Sequence, residues 1–382
     1  MQALRSPTGT PKLRRYHEAG FDVAVNFALG PARDECEREL AQAGFALPLP
    51  HRAAWARALR PTASWFLAAY DASGRPCAGF AVEVHRSRAL PGHLLLRVER
   101  LGAAGACAAS EACLAVLAGI ARRRWRVLRV GIELYEPDVT ARDSLCAALR
   151  SLGFETDENG RAYHQTLFVD LTADLETVRT RLSRNTRRNI RIIANHGLSV
   201  RVITDPSLAP RMDFLLQETP RRTGGNFEAQ RIASRIAFSA DCPWLARFVG
   251  LFRADVSGPE SLIAFVSGYH HGTYAHYDAG ASVRTPDVKA PLAYALVWDL
   301  IVWAKANGAR WFDLGGVTGG TLGSDDPLGG LSDFKRFFGD KLITVGDDWV
   351  LNPRTVQTWA AHAVSICAAT ASTLVTWLID LN

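Results

Sequence analysis

Three short segments near the chain's end hold a concentration of residues able to do chemistry. They are Tyr277-Asp-Ala-Gly-Ala-Ser282, Phe312-Asp-Leu-Gly-Gly316 and Phe334-Lys-Arg-Phe-Phe-Gly339. Each also has a plain structural reading. Asp313 follows a strand, where an Asp often caps the next turn. Gly315, Gly316, Gly319 and Gly320 allow a tight backbone path. Tyr277 reads equally well as a half-buried strand residue, and Lys335 could be an ordinary surface lysine on a helix. Yet Lys335 stands out, because the lysines are only Lys12, Lys289, Lys305, Lys335 and Lys341 among 44 basic residues. A genome that favours Arg codons would account for the ratio, though not for the position. His270 and His271 sit at a hairpin tip and are expected to be solvated.

Familiar catalytic signatures are missing. The sequence has no GxSxG elbow, no HExxH zinc helix and no GxxxxGK[ST] phosphate loop. The seven cysteines are scattered without CxxC spacing, which argues against a zinc ribbon, a redox pair or a disulfide framework. Free thiols in a reducing cytoplasm are the simplest reading. No metal site is expected. The N-terminal stretch is polar and carries Arg5, Lys12, Arg14 and Arg15, so a secretory signal is not expected.

The elements that must position these residues form a repeated order. The chain has 382 residues, 48% hydrophobic and 21% charged, which excludes a disordered chain and predicts two to three domains. In the first half, strands are predicted at 65–70 and 78–84. A helix over 111–124, a strand over 127–134, a helix over 141–152 closed by Gly153 and a strand near 164–169 follow. In the second half the order recurs: strands at 247–252, 262–268 and 273–278, a helix over 291–307, a strand over 310–314, a short helix near 331–338 and a strand over 342–345. This order predicts an α/β protein of two similar units with mixed sheets, the boundary near Leu171.

Between the halves, one helix is predicted over 174–196. Val178, Leu182, Ile190 and Ile193 share one face, and Arg181, Arg184, Arg188 and Arg191 another, with Arg187 beside them. Such a face is either merely solvated or a contact for phosphates, from RNA or from a nucleotide-linked substrate. With a net charge of +6, the chain permits a polyanionic partner without requiring one. From Thr355 to Ile379 no residue is charged, but His362, Ser365, Thr370, Ser372 and Thr373 dilute the apolar character. A docked C-terminal helix is the first reading of this tail and a membrane-associated one the second.

The element order resembles the acetyltransferase (GNAT) fold. The nearest approach to its pyrophosphate-binding motif, Glu99-Arg-Leu-Gly-Ala-Ala104, begins with an acid that would repel a pyrophosphate. Over roughly Trp65 to Val350, FDLGG, the glycine-rich loop and FKxxFG resemble the Fem family, the FemA/FemB/FemX aminoacyltransferases that build peptidoglycan cross-bridges. The resemblance implies tandem GNAT-like (acyl-CoA N-acyltransferase fold) domains over 20–170 and 171–352, with a helical tail over 353–382. It implies amide formation from an aminoacyl-tRNA, without a cofactor. Lys335 would lie at the site of reaction and Phe334 would bring its backbone near the reacting carbonyl, with Tyr277 on the preceding strand. Substrate contacts would come from Glu136 (beside Pro137), from the pair Arg221-Arg222, and from Asp313, Gly315 and Gly316. Arg184, Arg187, Arg188 and Arg191 would meet the tRNA. No long heptad arm of the kind found in some members is present, and the tail has no counterpart.

The physics of ester aminolysis is compatible with such a site. The tetrahedral oxyanion can be stabilised by a cationic ammonium beside a backbone N–H, one such donor being worth about 3–4 kcal/mol. An acceptor α-amine has a pKa of about 7.7–8, so a strong base is not essential. The acceptor would be a peptidoglycan precursor, another amino-sugar-linked peptide or a peptide natural product. The expected location is the cytoplasm, with peripheral contact on the inner membrane face only under the second reading of the tail. Two other readings stay open: an N-acyltransferase using acyl-CoA or an acyl-carrier protein in envelope polysaccharide synthesis, and a non-catalytic module on RNA or membrane.

Overall fold

Alternating apolar positions are taken up by two separate mixed sheets, each backed by helices. The computed structural model describes residues 13–59, 63–102, 107–158, 160, 164–223, 231–283, 291–326, 328–339, 341–354, 357 and 363. The chain divides into two units, one of Met1–Ala56, Arg60–Arg161 and Val345–Asn382, the other of Arg57–Leu59 and Ala162–Thr344. The expected fold class, tandem GNAT-like α/β units with mixed sheets, is what the chain adopts.

The first unit opens with the hairpin β1 (Leu13–Glu18) and β2 (Phe21–Asn26), then α1 (Pro31–Gln42) and α2 (Ala53–Leu59), the last crossing into the other unit. Next come β3 (Ser64–Tyr70), β4 (Pro76–Arg86), β5 (Leu94–Leu101), α3 (Cys107–Arg123), β6 (Val127–Leu134), α4 (Val139–Ser151) and β7 (Glu155–Thr156). Its eight-stranded sheet runs β1-β2-β3-β4-β5-β6-β15-β7, where β15 is Asp348–Leu351. Leu114, Leu117, Ile120 and Ala121 recur at helical spacing along α3 and pack on Val82, Leu96, Val98, Val130 and Ile132. Each leucine, isoleucine or valine among them contributes about 1.5–3 kcal/mol on full burial. α1 covers part of the opposite face through Leu40, against Phe66 and Ala81. Cys36 and Cys113 are buried free thiols.

The second unit comprises β8 (Gln165–Asp170), α5 (Leu175–Arg181), α6 (Arg184–Ile192), β9 (Leu198–Val202), α7 (Ala209–Thr223) and α8 (Ile232–Asp241). It continues with β10 (Ala246–Arg253), β11 (Leu262–His270), β12 (Tyr274–Ser282), α9 (Ala293–Ala306), β13 (Trp311–Gly316), α10 (Gly329–Arg336) and β14 (Lys341–Thr344). Its sheet runs β14-β8-β13-β12-β11-β10-β9. Leu296, Leu300, Ile301 and Ala304 of α9 bury against Val249, Val266, Ala275 and Phe312.

Three expectations need correction. The division at 170/171 and 352 fails at both ends. β8 hydrogen-bonds β13 and β14, and Leu167 and Val169 enter the second core; β15 lies between β6 and β7, and Trp349 enters the first. A strand joins the sheet whose core its apolar face fills, and order along the chain does not reveal which. The helix over 174–196 is two helices, because Ser183 ends one and caps the next, its hydroxyl accepting from the Thr186 N–H at 3.1 Å. His270 and His271 are buried, not solvated. The tail expected over 353–382 lies outside the described residues beyond Arg354, apart from Gln357 and Ala363. Among the described residues, no helix is long and apolar enough to cross a membrane.

Candidate active site

The second unit's sheet opens at its parallel pair. β12 and β13 pair at Tyr274–Trp311, Ala275–Phe312 and His276–Asp313, and no further. Beyond that point β12 follows β11 as far as Ser282, with a register shift at Ser267/Gly268, while β13 goes on beside β8. The backbone of Leu314, Gly315 and Gly316 therefore leaves β12 and needs other partners.

Lys335 supplies one. It is the seventh residue of α10, only 7% exposed, and its Nζ donates to the Gly316 carbonyl at 2.6 Å. Gly315 has a left-handed φ of 81°, and a Cβ there would stand 3.3 Å from that Nζ. Asp313, 1% exposed, accepts from the Gly315 N–H at 2.7 Å and from the Thr166 hydroxyl of β8. Asp313 thus serves the turn-capping role weighed for it, and its charge also acts on the lysine. Burial lowers the Lys335 pKa from 10.5 to about 8, the nearby Asp313 carboxylate opposing the shift. Among the cavities of the described residues, the nearest runs beside the amine's backbone neighbours. A cavity of about 410 Å3 has Val317 and Thr318 in its wall next to Gly316, and Arg336 next to Lys335.

The neighbours of Lys335 hold its helix in place. Phe334 packs edge-on to Tyr294 with ring centroids 5.1 Å apart, and Phe338 lies 5.5 Å from both. Thr186 of α6 donates its hydroxyl to the Phe337 carbonyl at 3.2 Å, anchoring the end of α10. Phe334 is the sixth residue of α10, past the first turn, so its N–H belongs to the helical ladder. Tyr277 is half-buried in the apolar core, with its hydroxyl against Gly280, and burial raises its pKa. What comes near Gly315 is its carbonyl, 3.9 Å from where a Cβ would stand.

In the first unit, Glu136 follows the parallel pair β5/β6. It is 8% exposed, and its carboxylate accepts from the Asp138 N–H at 2.8 Å, beside the Asp138 cap of α4. A Cβ on Gly102 would lie 3.4 Å from the Glu136 carboxylate and 2.8 Å from the Tyr135 carbonyl, so glycine is required there. Arg100 lays its guanidinium on the Tyr135 ring at 4.4 Å.

No protein-family model matches the sequence, and no curated protein matches it. Solved structures do. The FemX crystal structure aligns over 87% of this chain and 99% of its own, with a TM-score of 0.67 at 14% identity. L-PGS from Bacillus licheniformis aligns over 88% of this chain and 96% of its own, with a TM-score of 0.51, also at 14% identity. The fold is FemX-like.

Of the residues the Fem resemblance singled out, this FemX-like second unit brings together Lys335, Asp313, Gly315 and Gly316, with Phe334 flanking them. Arg184, Arg187, Arg188 and Arg191 lie along one face of α6, where i, i+3, i+4 and i+7 coincide. Arg221 and Arg222 fall in the last turn of α7, and their side chains are outside the described residues. Sequence reasoning missed Thr166 and Thr186, which look like ordinary polar residues until the fold closes. It also missed a buried histidine pair: His271 Nε2 lies 2.6 Å from His276 Nδ1, and His271 stacks on Tyr274 with centroids 4.7 Å apart.

Proposed function

We propose that this chain is an N-acyltransferase that moves an aminoacyl group from a charged tRNA to an amine. The acceptor is peptide-like or amino-sugar-linked, as in a peptidoglycan precursor or a peptide natural product. The observation that carries the reading is the buried Lys335 amine, hydrogen-bonded to Gly316 where β12 and β13 part, with a pKa near 8. FemX, whose fold the chain shares, supports the same reading.

The chemistry follows from that amine. As the acceptor nitrogen bonds to the ester carbonyl carbon, the carbonyl oxygen becomes anionic. A cation in a site of low dielectric stabilises it more than the same cation would in water. Collapse then breaks the ester C–O bond and expels a ribose oxygen that must gain a proton, while the acceptor nitrogen loses one. An ammonium with a pKa near 8 is a competent donor to that oxygen at neutral pH. Glu136 is suited to hold a cationic acceptor, and the α6 arginines to hold tRNA phosphates. A charged-tRNA donor implies a cytoplasmic reaction.

The test is transfer of a labelled amino acid from charged tRNA to an amine acceptor by the purified chain. Ribonuclease pretreatment should abolish transfer. Transfer that survives it, or that needs acyl-CoA instead, removes tRNA from the account.

A further inference from the structure

The second unit carries a cavity of about 730 Å3 beside the end of the Lys335 helix, within the range of roughly 300–1,000 Å3 usual for ligand sites. Arg181, at the end of α5, and Ser183, the cap of α6, form one wall. Arg336, Phe337 and Lys341, from the end of α10 and the start of β14, form another, and Asp170 of β8 lies between. Three cations thus face one carboxylate. That carboxylate is largely occupied, accepting from the Thr172 N–H at 2.9 Å, the Thr172 hydroxyl at 2.6 Å and Arg181 at 3.3 Å. Arg336 is held by the carbonyls of Thr318 and Gly320 and by Asp333, which fixes its position on the rim.

The Phe337 ring lies over Tyr294 with centroids 6.2 Å apart, yet much of it stays open to solvent. Its neighbour Phe338 is buried, whereas Phe337 is 48% exposed. From Ser183 the basic lining continues onto α6, whose Arg184, Arg187, Arg188 and Arg191 share one face. An exposed aromatic ring beside a cationic track is the combination that holds single-stranded nucleic acid, the ring stacking a base and the cations following phosphates. Double-stranded RNA would instead be read through its groove shape and 2′-hydroxyls.

We infer that this cavity is a docking site for the single-stranded end of the tRNA donor, with a base stacked on Phe337 and phosphates against Arg181 and Lys341. The inference rests on the proposed charged-tRNA donor. It adds the part of that donor which the cavity holds and the residues that hold it.

A fluorescently labelled single-stranded RNA tetranucleotide, titrated against the full chain by anisotropy, tests this. Phe337→Leu should weaken binding about tenfold, and Phe337→Tyr should retain it, with both variants melting like the parent. Lys341→Gln and Arg181→Gln should each reduce the slope of log K against log salt by about 0.7. Equal binding by the parent and Phe337→Leu, or equally tight binding of an RNA duplex of the same length, would overturn the inference. The transfer assay run in parallel separates the two claims. Normal transfer without Phe337-dependent binding sinks the cavity assignment alone. Phe337-dependent binding without transfer from any charged tRNA sinks the proposed reaction and the donor as occupant, leaving a site for single-stranded RNA.

Discussion

The two parallel strand pairs of this chain are built alike and end differently. In the first unit, β5 and β6 pair as far as Leu101–Leu134, through register shifts at Leu94/Leu95 and Val98/Leu101, and the Tyr135 N–H then donates to the Leu101 carbonyl at 2.7 Å. In the second, β12 and β13 separate after three pairs. The closed end carries a carboxylate, Glu136, whose backbone N–H donates to Val345 at 2.7 Å. The open end carries an ammonium, Lys335, bonded to the Gly316 carbonyl beyond the last β12–β13 pair. Where a ladder stops early, backbone groups need new partners, and here a side chain able to do chemistry supplies one.

The largest expected effect breaks the open end. Lys335 has a folded pKa near 8 against an ordinary 10.5, so its cost to the fold is full below pH 8 and fades as pH rises to 10.5. The stability of the parent relative to Lys335→Met should therefore climb by roughly 3 kcal/mol across that window, at about 1.4 kcal/mol per unit. Below pH 8 the difference should be flat. Denaturant unfolding of both proteins between pH 7 and 10.5 measures it, and a constant difference across the window would show that the lysine titrates normally. Next, Asp313→Asn keeps an acceptor for Gly315 but removes the charge facing the lysine. It should cost about 2 kcal/mol of stability and move the Lys335 titration below 8. A pH–rate profile unchanged from the parent would mean that Asp313 does not act on the amine. The smallest effect sharpens the other side of the comparison. Glu136→Gln should raise the acceptor KM about tenfold with kcat nearly unchanged, and a loss confined to kcat would place Glu136 in the chemistry instead.

The sequence made some of this arrangement legible. The apolar spacing of α9, with Gly308 behind it, and the strand–loop–helix run from Trp311 to Arg336 could be read directly, because local pattern decides them. The same reading passed over β1, where Leu13–Glu18 has no apolar alternation, and β5, where three consecutive leucines mask the period of two. β8 falls by sequence order in the wrong unit, and the residues of β15, read as no strand, fall in the second unit's range, because their pairing is long-range and their apolar faces would suit either sheet. At the site, Lys335 was identifiable by type and motif. Its burial and lowered pKa were not, since both depend on the separation of β12 from β13 and on Thr166 reaching Asp313. Thr186 and Tyr294, which hold α10, carry no motif, and their roles come only from packing.

The most direct test of the central claim is single-turnover transfer from charged tRNA by Lys335→Met, with folding confirmed by its melting curve. The account predicts a rate at least a hundredfold below the parent, with donor binding little changed. A folded Lys335→Met protein that transfers within a factor of about two of the parent would show that the ammonium at the open strand pair is not where the carbonyl turns anionic.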